Sequence, residues 1–208
     1  MSSLTLTLSK PGDGKPKGLS LNLQKAERFT VKLRWDGSAD VDLHALLCLG
    51  PVGGQASVTE QDQLLSCYNV APQGTLPKAA DGTFSIPGGG LVHSADARDG
   101  QAEDVDEYID IDPAKIVLAP GQYADIPLIA MLHPCDGSKR FRQVQNARVE
   151  IVNTSGQQLL QADLSAQFGD FVGVQMGSII IQPGQPAQFT PVAVGFATDF
   201  NGVIAAFS

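Results

Sequence analysis

Short runs of alternating apolar and polar residues constrain this chain more than any other feature of its sequence. Alternation with a period of two is typical of β-strands that are buried on one face. It predicts strands at residues 4–8, 29–35, 41–47, 115–118, 147–152 and 189–194. The 22 glycines and 13 prolines lie largely between these runs, where they favour turns. We therefore expect an all-β protein, an antiparallel β-sandwich with long loops and little helix.

Length and composition favour a single folded unit. A chain of 208 residues with 43% hydrophobic and 17% charged residues can bury a substantial core, although its length would also permit two small domains. We expect one sandwich domain over residues 1–208. The best helical candidate is the stretch at residues 159–168, which Gly156 and Gly169 bracket closely.

The net charge of −8 indicates the class of partner. It provides no basic field that would attract nucleic acid or anionic lipid, so cations are the better partners. The N-terminal residues lack the pattern of a signal peptide, and no apolar run is long enough to span a membrane. We expect a cytoplasmic protein without a membrane span.

The cysteines and histidines are scattered along the chain. Cys48, Cys67 and Cys135 form no CxxC pair, so we expect reduced thiols that act as small buried hydrophobic side chains. His44, His93 and His133 lack the spacing of a zinc or catalytic cluster, and ordinary hydrogen-bonded histidines are the simpler interpretation.

Acidic residues are concentrated in one stretch. Eight of the 22 acids fall within 17 positions, with one base, Arg98, among them: Asp96, Asp99, Glu103, Asp104, Asp106, Glu107, Asp110 and Asp112. Carboxylates this close together repel one another. Hard oxygen ligands interleaved with Gly100 and small residues suit Ca²⁺, which takes about 6 to 8 oxygens, better than Mg²⁺. A solvated acidic surface is the alternative from composition alone.

A second acidic group follows Trp35. On a strand beginning at Asp40, the side chains of Asp40, Asp42 and His44 would point to the same side. This group and the acidic stretch could share one ion cluster. The spacing is not that of an EF-hand, and loops at one end of a sandwich are the expected frame.

Several motifs, in one order, resemble the tellurium-resistance TerD family. Residues 91–100, followed by Glu103 and Asp106-Glu107, resemble its VHxGDNRxG…ExxDE pattern. Trp35-Asp36 with the residues at 40–43 is similar to its WD…DFDLD pattern, and Tyr68-Asn69 to its FYNN. His133, residues 141–147 and residues 151–153 resemble its H…FGQVxNAxIRVVN pattern. The resemblance covers about residues 19–200.

This resemblance implies a calcium-binding β-sandwich protein associated with tellurite resistance, phage inhibition and stress response, without an established catalytic reaction. Carried over residue by residue, it implies calcium ligands at Asp40, Asp42, Asp96, Glu103, Asp106 and Glu107. Asp99 has no acidic counterpart in the family pattern, and we add it from the clustering of acids alone.

Two departures from the family pattern affect the expected site. His44 stands where the third Asp of the family would be, and Ala97 replaces the Asn that follows Asp96. Each removes a hard oxygen ligand, and a neutral imidazole binds Ca²⁺ poorly. One of two family-type calcium sites is therefore expected to be weakened, lost or completed by water.

Three functions remain open from the sequence. The leading one is a calcium-dependent binding module with a protein partner and no enzymatic activity. The second is a structural or assembly protein on the same sandwich with reduced metal binding. The third is a carbohydrate-active enzyme that uses a carboxylate pair, which is disfavoured because the chain has few aromatic residues for sugar stacking and Trp35 is its single Trp.

Overall fold

The computed structural model describes residues 21–22, 28–136, 139–154, 156 and 158–208, and the predicted strand at residues 4–8 lies outside them. The strands within this part of the chain are Leu21–Asn22 (β1), Phe29–Asp36 (β2), Val41–Leu46 (β3), Cys48–Pro51 (β4), Leu64–Leu65 (β5), Phe84–Ser85 (β6), Leu91–His93 (β7), Glu107–Ile111 (β8), Gln122–Leu132 (β9), Gln145–Asn153 (β10), Gln158–Asp163 (β11), Gly173–Ile181 (β12) and Gln188–Phe196 (β13). Two short α-helices are described, Leu164–Gln167 (α1) and Phe200–Ala205 (α2).

These strands form two antiparallel sheets, as the alternating sequence pattern predicts. The first sheet has the order β1-β13-β12-β9-β3-β5, and β4 pairs with the other end of β9. The second sheet has the order β11-β10-β2-β8-β7-β6. The predicted antiparallel sandwich, rich in strands and poor in helix, is confirmed.

The main core lies between the sheets. On β2, Phe29, Val31, Leu33 and Trp35 are buried in it and alternate with more exposed polar residues. The Trp35 indole N–H donates to the carbonyl of Ala39 at 2.7 Å, so its polar atom is satisfied inside the core.

A second apolar cluster covers the outer face of the first sheet. Leu46, Ile129 and Met131 pack there with Phe200 and Val203 of α2. Asp199 caps this helix by accepting from the N–H of Gly202 at 2.9 Å. Because both faces of β3 are covered, all six of its residues are buried. The side chains that β3 directs outward therefore lie in a closed space and not in solvent.

Two predicted elements are wrong. Residues 115–118 are not a strand, because Asp112 accepts from the N–H of Ala114 and starts a 3-10 turn at Pro113–Lys115. Residues 159–168 are mostly not a helix, because Gln158–Asp163 pairs with β10 as an edge strand. Only Leu164–Gln167 is helical there, capped by Asp163. Leu160 and Ala162 are buried on alternate positions of that strand, which is a period of two.

No helix in the described part of the chain is both long and apolar enough to cross a membrane.

Candidate metal centre

The candidate site lies where β3 extends beyond its short neighbour β5. Leu43 pairs with β9 on one side, but pairing with β5 on the other side involves only Ala45 and Leu46, so that side of Leu43 has no strand beside it. Two side chains from the second sheet satisfy its backbone. Oε2 of Glu107 accepts from the N–H of Leu43 at 2.7 Å, and Nε2 of His93 lies 2.8 Å from the Leu43 carbonyl oxygen. The edge is thereby closed without a strand.

Glu107 is fully buried and holds two backbone segments together. Its Oε1 accepts from the N–H of Ala97 at 3.2 Å, while its Oε2 binds Leu43. Burial raises the pKa of Glu107 well above its ordinary value, and the nearby charge of Asp42 adds to the rise. His93 lies 3.6 Å from Oε2, but burial lowers the pKa of this imidazole, so it supplies little compensating charge at neutral pH.

Asp42 lies on the outward face of β3 and is also buried. It accepts hydrogen bonds from the hydroxyl of Tyr68 and, at 3.2 Å, from Sγ of Cys67. Burial raises the pKa of Asp42 to about 6 in spite of these two donors. Burial, followed by the charge of Asp42, raises the pKa of both the Tyr68 hydroxyl and the Cys67 thiol, so both groups stay protonated as donors.

A 3-10 turn at Cys67–Asn69 positions the two donors. Oγ of Ser66 accepts from the N–H of Tyr68 at 3.1 Å, which caps the turn. The buried Asn69 side chain donates to the carbonyl of Gln61 at 2.7 Å and accepts from the N–H of Thr75 at 3.1 Å. These bonds fix the loop that brings Tyr68 and Cys67 to Asp42.

Asp40 and Asp96 complete the acidic group. One ligand atom from each of Asp42, Cys67 and Asp96 lies within 4.8 Å of the others. Burial raises the pKa of Asp40, His133 lowers it, and Asp96 raises it further. Oδ1 of Asp40 is buried and has no hydrogen-bond partner among the described residues. A buried carboxylate oxygen without a donor is a position at which a cation would be favourable.

The remaining predicted ligands, Asp99, Glu103 and Asp106, lie in the loop between β7 and β8, which is called the 94–106 loop. Asp106 is buried, and its two oxygens accept from the N–H groups of Trp35, at 2.9 Å, and Ala102, at 3.2 Å. In this arrangement it fastens the loop to the end of β2. Asp99 and Glu103 are exposed. Among the described residues, neither belongs to a group of metal-ligating side chains with converging donor atoms.

Gly100 fastens the same loop at a second point. Its N–H donates to the carbonyl of Gly37 at 2.8 Å, and the Gly37 N–H donates back at 3.3 Å. A Cβ at position 100 would lie 2.4 Å from the carbonyl oxygen of Trp35. The loop therefore approaches β2 so closely that only glycine fits.

His44 lies two residues after Asp42 on β3 and is fully buried. The centroid of its ring is 4.4 Å from the centroid of the Phe200 ring. Neither ring nitrogen has a hydrogen-bond partner among the described residues. Burial lowers the pKa of His44 well below its ordinary value, so the ring is neutral. It occupies an apolar position and adds no hard oxygen ligand.

Four residues near the acids were not predicted as part of the site: Tyr68, Cys67, His133 and Cys135. Cys48 is buried as expected, but Cys67 is half-buried and Cys135 is exposed, so the expectation of three buried small side chains is wrong for Cys135. A second group of converging donor atoms consists of Asp40, His133 and Cys135. The spacing in the sequence carries no signal for it, because Asp40 is 95 residues from Cys135.

Comparison with known proteins agrees with this architecture. The family model described as "TerD domain" matches residues 14–207. The chain is 31% identical over 113 residues to the uncharacterized protein YceE of Bacillus subtilis (strain 168), covering 53% of this chain and 57% of YceE. It thus spans little more than half the length of that curated relative.

Two solved structures share the fold. The first is a protein of unknown function, SAV2460, with a TM-score of 0.63 and 14% identity, covering 87% of this chain and 96% of that one. The second is described as a homologue of telluride resistance protein (TerD), SCO6318 from Streptomyces coelicolor A3(2). It has a TM-score of 0.62 and 18% identity, and the match covers 86% of this chain and 95% of that chain.

Proposed function

Since the chain belongs to the TerD domain family, we propose that it is a calcium-binding protein whose ion joins β3 to the 94–106 loop. The proposed ligands are the carboxylates of Asp40, Asp42 and Asp96, with Glu107 beside them. Asp99, Glu103 and Asp106 stay sequence-based candidates for further ligands.

The observation that carries the proposal is the burial of acidic side chains without a cationic partner. Asp42 and Glu107 are almost inaccessible to solvent. Within the described part of the chain, Asp42 has no ion pair and Glu107 has only the neutral His93. Burying an uncompensated carboxylate is costly. A divalent cation would offset this cost and favour the ionised acids.

The donor chemistry favours Ca²⁺ over Mg²⁺. Calcium takes about 6 to 8 oxygen ligands in flexible geometry and accepts bidentate carboxylates, backbone carbonyls and water together. The acids here come from one end of β3, the 94–106 loop and a strand of the facing sheet, and Asp96 is exposed enough to admit water. Glu107 and Asp42 retain acceptor capacity, because each carboxylate oxygen has two lone pairs.

In this proposal the ion has a structural task and no catalytic one. It orders the 94–106 loop against β3 and shapes a surface that binds a protein partner in a stress or tellurite-resistance response. The three free cysteines support a reducing compartment, and we assign the protein to the cytoplasm on that basis.

Calcium titration tests the proposal. Isothermal calorimetry should show binding heat, and free Ca²⁺ at a hundred times Kd should stabilise the fold by about 2.7 kcal/mol. Asp42→Asn should reduce both signals, while Asp62→Asn, at an exposed acid outside the cluster, should leave them unchanged. Absence of heat together with an unchanged melting temperature at millimolar Ca²⁺ would rule out calcium binding.

A second candidate function is a structural or assembly role with reduced metal binding. The observation that favours it is His44, a buried neutral ring at the position where the family pattern has an acid. Light scattering after size exclusion, with and without chelator, separates the two. Stable self-assembly that chelator does not change would support the assembly role.

A further inference from the structure

The turn after β9 carries soft ligands that the proposed calcium site does not use. Residues 133–136, here called the HPCD turn, consist of His133 and the 3-10 turn Pro134–Asp136 that follows it. Sγ of Cys135 lies 3.7 Å from Oδ2 of Asp40, and Nδ1 of His133 lies 3.8 Å from the same oxygen. One donor atom from each of these three residues lies within 4.8 Å of the others.

Hydrogen bonds to both the carbonyl and the N–H of Asp40 hold the HPCD turn in place. The N–H of His133 donates to the carbonyl of Asp40 at 2.9 Å. The N–H of Asp40 donates to Oδ2 of Asp136 at 2.7 Å. Lys139 lies 2.6 Å from the other oxygen of Asp136 and fixes that carboxylate. These contacts fix the positions of Asp40 and the HPCD turn relative to each other.

The ligand set differs in kind from the all-oxygen acids of the calcium proposal. A thiolate, an imidazole and a carboxylate are ligands that Zn²⁺ binds readily, whereas Ca²⁺ prefers oxygen alone. We propose that Asp40, His133 and Cys135 form a zinc-binding site with a fourth position open to water. Cys135 is exposed, so an ion can reach the site from solvent.

Asp40 connects this site to the calcium cluster. Its Oδ2 faces His133 and Cys135, whereas its Oδ1 has no hydrogen-bond partner among the described residues. One carboxylate can thus serve two ions through different oxygens. In the present arrangement Nδ1 of His133 accepts from the N–H of Cys135 at 3.1 Å, and ligation through Nδ1 replaces that bond. Cys135 would bind the ion as a thiolate, so ion binding releases the thiol proton.

Zinc titration of the full chain against a chromophoric chelator tests the site, with a non-thiol reductant and saturating calcium present. Cys135→Ser and His133→Ala should each lower the affinity for Zn²⁺ at least about tenfold. Cys48→Ser is the matched control, because Cys48 is buried in the outer apolar cluster and belongs to neither group of converging donor atoms. It should leave the affinity unchanged. With Co²⁺ as the probe, a thiolate-to-cobalt absorption band should appear in the wild type and be lost in Cys135→Ser alone.

Unchanged zinc affinity in both Cys135→Ser and His133→Ala would overturn the proposal, as would loss of the cobalt band in Cys67→Ser in place of Cys135→Ser. Complete absence of zinc binding would overturn it as well. Cys135→Ser should keep the calcium response, and Asp42→Asn should keep the zinc response. Failure of the zinc site is therefore distinguishable from failure of the calcium proposal.

Discussion

The backbone N–H of Leu43 donates a 2.7 Å hydrogen bond to Oε2 of Glu107, and this bond connects the two sheets through the buried interior. Leu43 belongs to a strand edge that the two-residue β5 does not reach. Glu107 therefore replaces a neighbouring strand at that point. The same carboxylate also holds Ala97, so the loop that contains the acids depends on it.

Glu107→Ala should destabilise the protein even without metal. The substitution leaves the N–H groups of Leu43 and Ala97 without their acceptor and opens a space in the interior. We expect a loss of about 2 to 5 kcal/mol in the free energy of unfolding, measured by urea denaturation in chelator. Glu103→Ala, at an exposed glutamate of the same loop, should change it by less than about 0.5 kcal/mol. Equal midpoints for the two variants would contradict the role of Glu107.

Gly100→Ala should disturb the 94–106 loop by steric contact. A Cβ there meets the Trp35 carbonyl oxygen at 2.4 Å and its Cδ1 at 2.6 Å, so backbone must move. We expect a loss of about 1 to 3 kcal/mol and a weaker calcium response. Gly121→Ala is a suitable comparison, because its Cβ meets no atom within 4 Å and its cost comes from a positive φ of 75° alone. Its calcium response should equal that of the wild type.

His44→Leu should be tolerated or stabilising. The imidazole is buried between Tyr68 and Phe200, and its nitrogens have no partner in the described part of the chain. Replacing a buried polar group that makes no hydrogen bond by an apolar one of similar size removes a desolvation cost. We expect an unfolding free energy equal to the wild-type value or up to about 1 kcal/mol higher. A loss above about 2 kcal/mol would contradict this expectation.

Asp125→Asn should alter the pH dependence of stability. Burial raises the pKa of Asp125 above its ordinary 3.8, although the Ser178 hydroxyl opposes the rise. The folded state therefore binds this proton more tightly than the unfolded state does. The resulting contribution to stability is fully present below the unfolded pKa and is lost as the pH rises through the folded one.

The asparagine variant should consequently gain stability relative to the wild type at neutral pH and lose that advantage in acid. Urea denaturation of both proteins between pH 3 and pH 7 measures this difference. Cys48 of β4 pairs with Asp125 of β9. Burial, together with the charge of Asp125, raises the pKa of the Cys48 thiol to about 12, so this thiol stays neutral between pH 3 and pH 7. A difference between the two proteins that does not vary with pH would contradict the assigned shift.

The sequence predicted the fold class because strand periodicity is a local property. Residues 29–35 and 147–152 alternate strongly, and both lie within observed strands. The stretch at 159–168 was misassigned because its helical propensity is also local, whereas its pairing with β10 is a tertiary interaction. Residues 112–115 form a turn because the Asp112 side chain caps it and Pro113 begins it. This cap outweighed the alternating pattern that predicted a strand from residue 115.

Clustering along the chain identified Asp96 and Glu107 as members of a candidate site, and the motif at 40–43 added Asp40 and Asp42. Sequence clustering alone could not show that Asp106 binds backbone amides while Asp99 faces solvent. It also carried no sign that Cys135 and His133 reach Asp40. Those contacts join residues more than 90 positions apart, and they depend on the register between β3 and β9 and on the turn that follows. Such distances arise only when strands pair and loops close, because no local preference of the backbone encodes them.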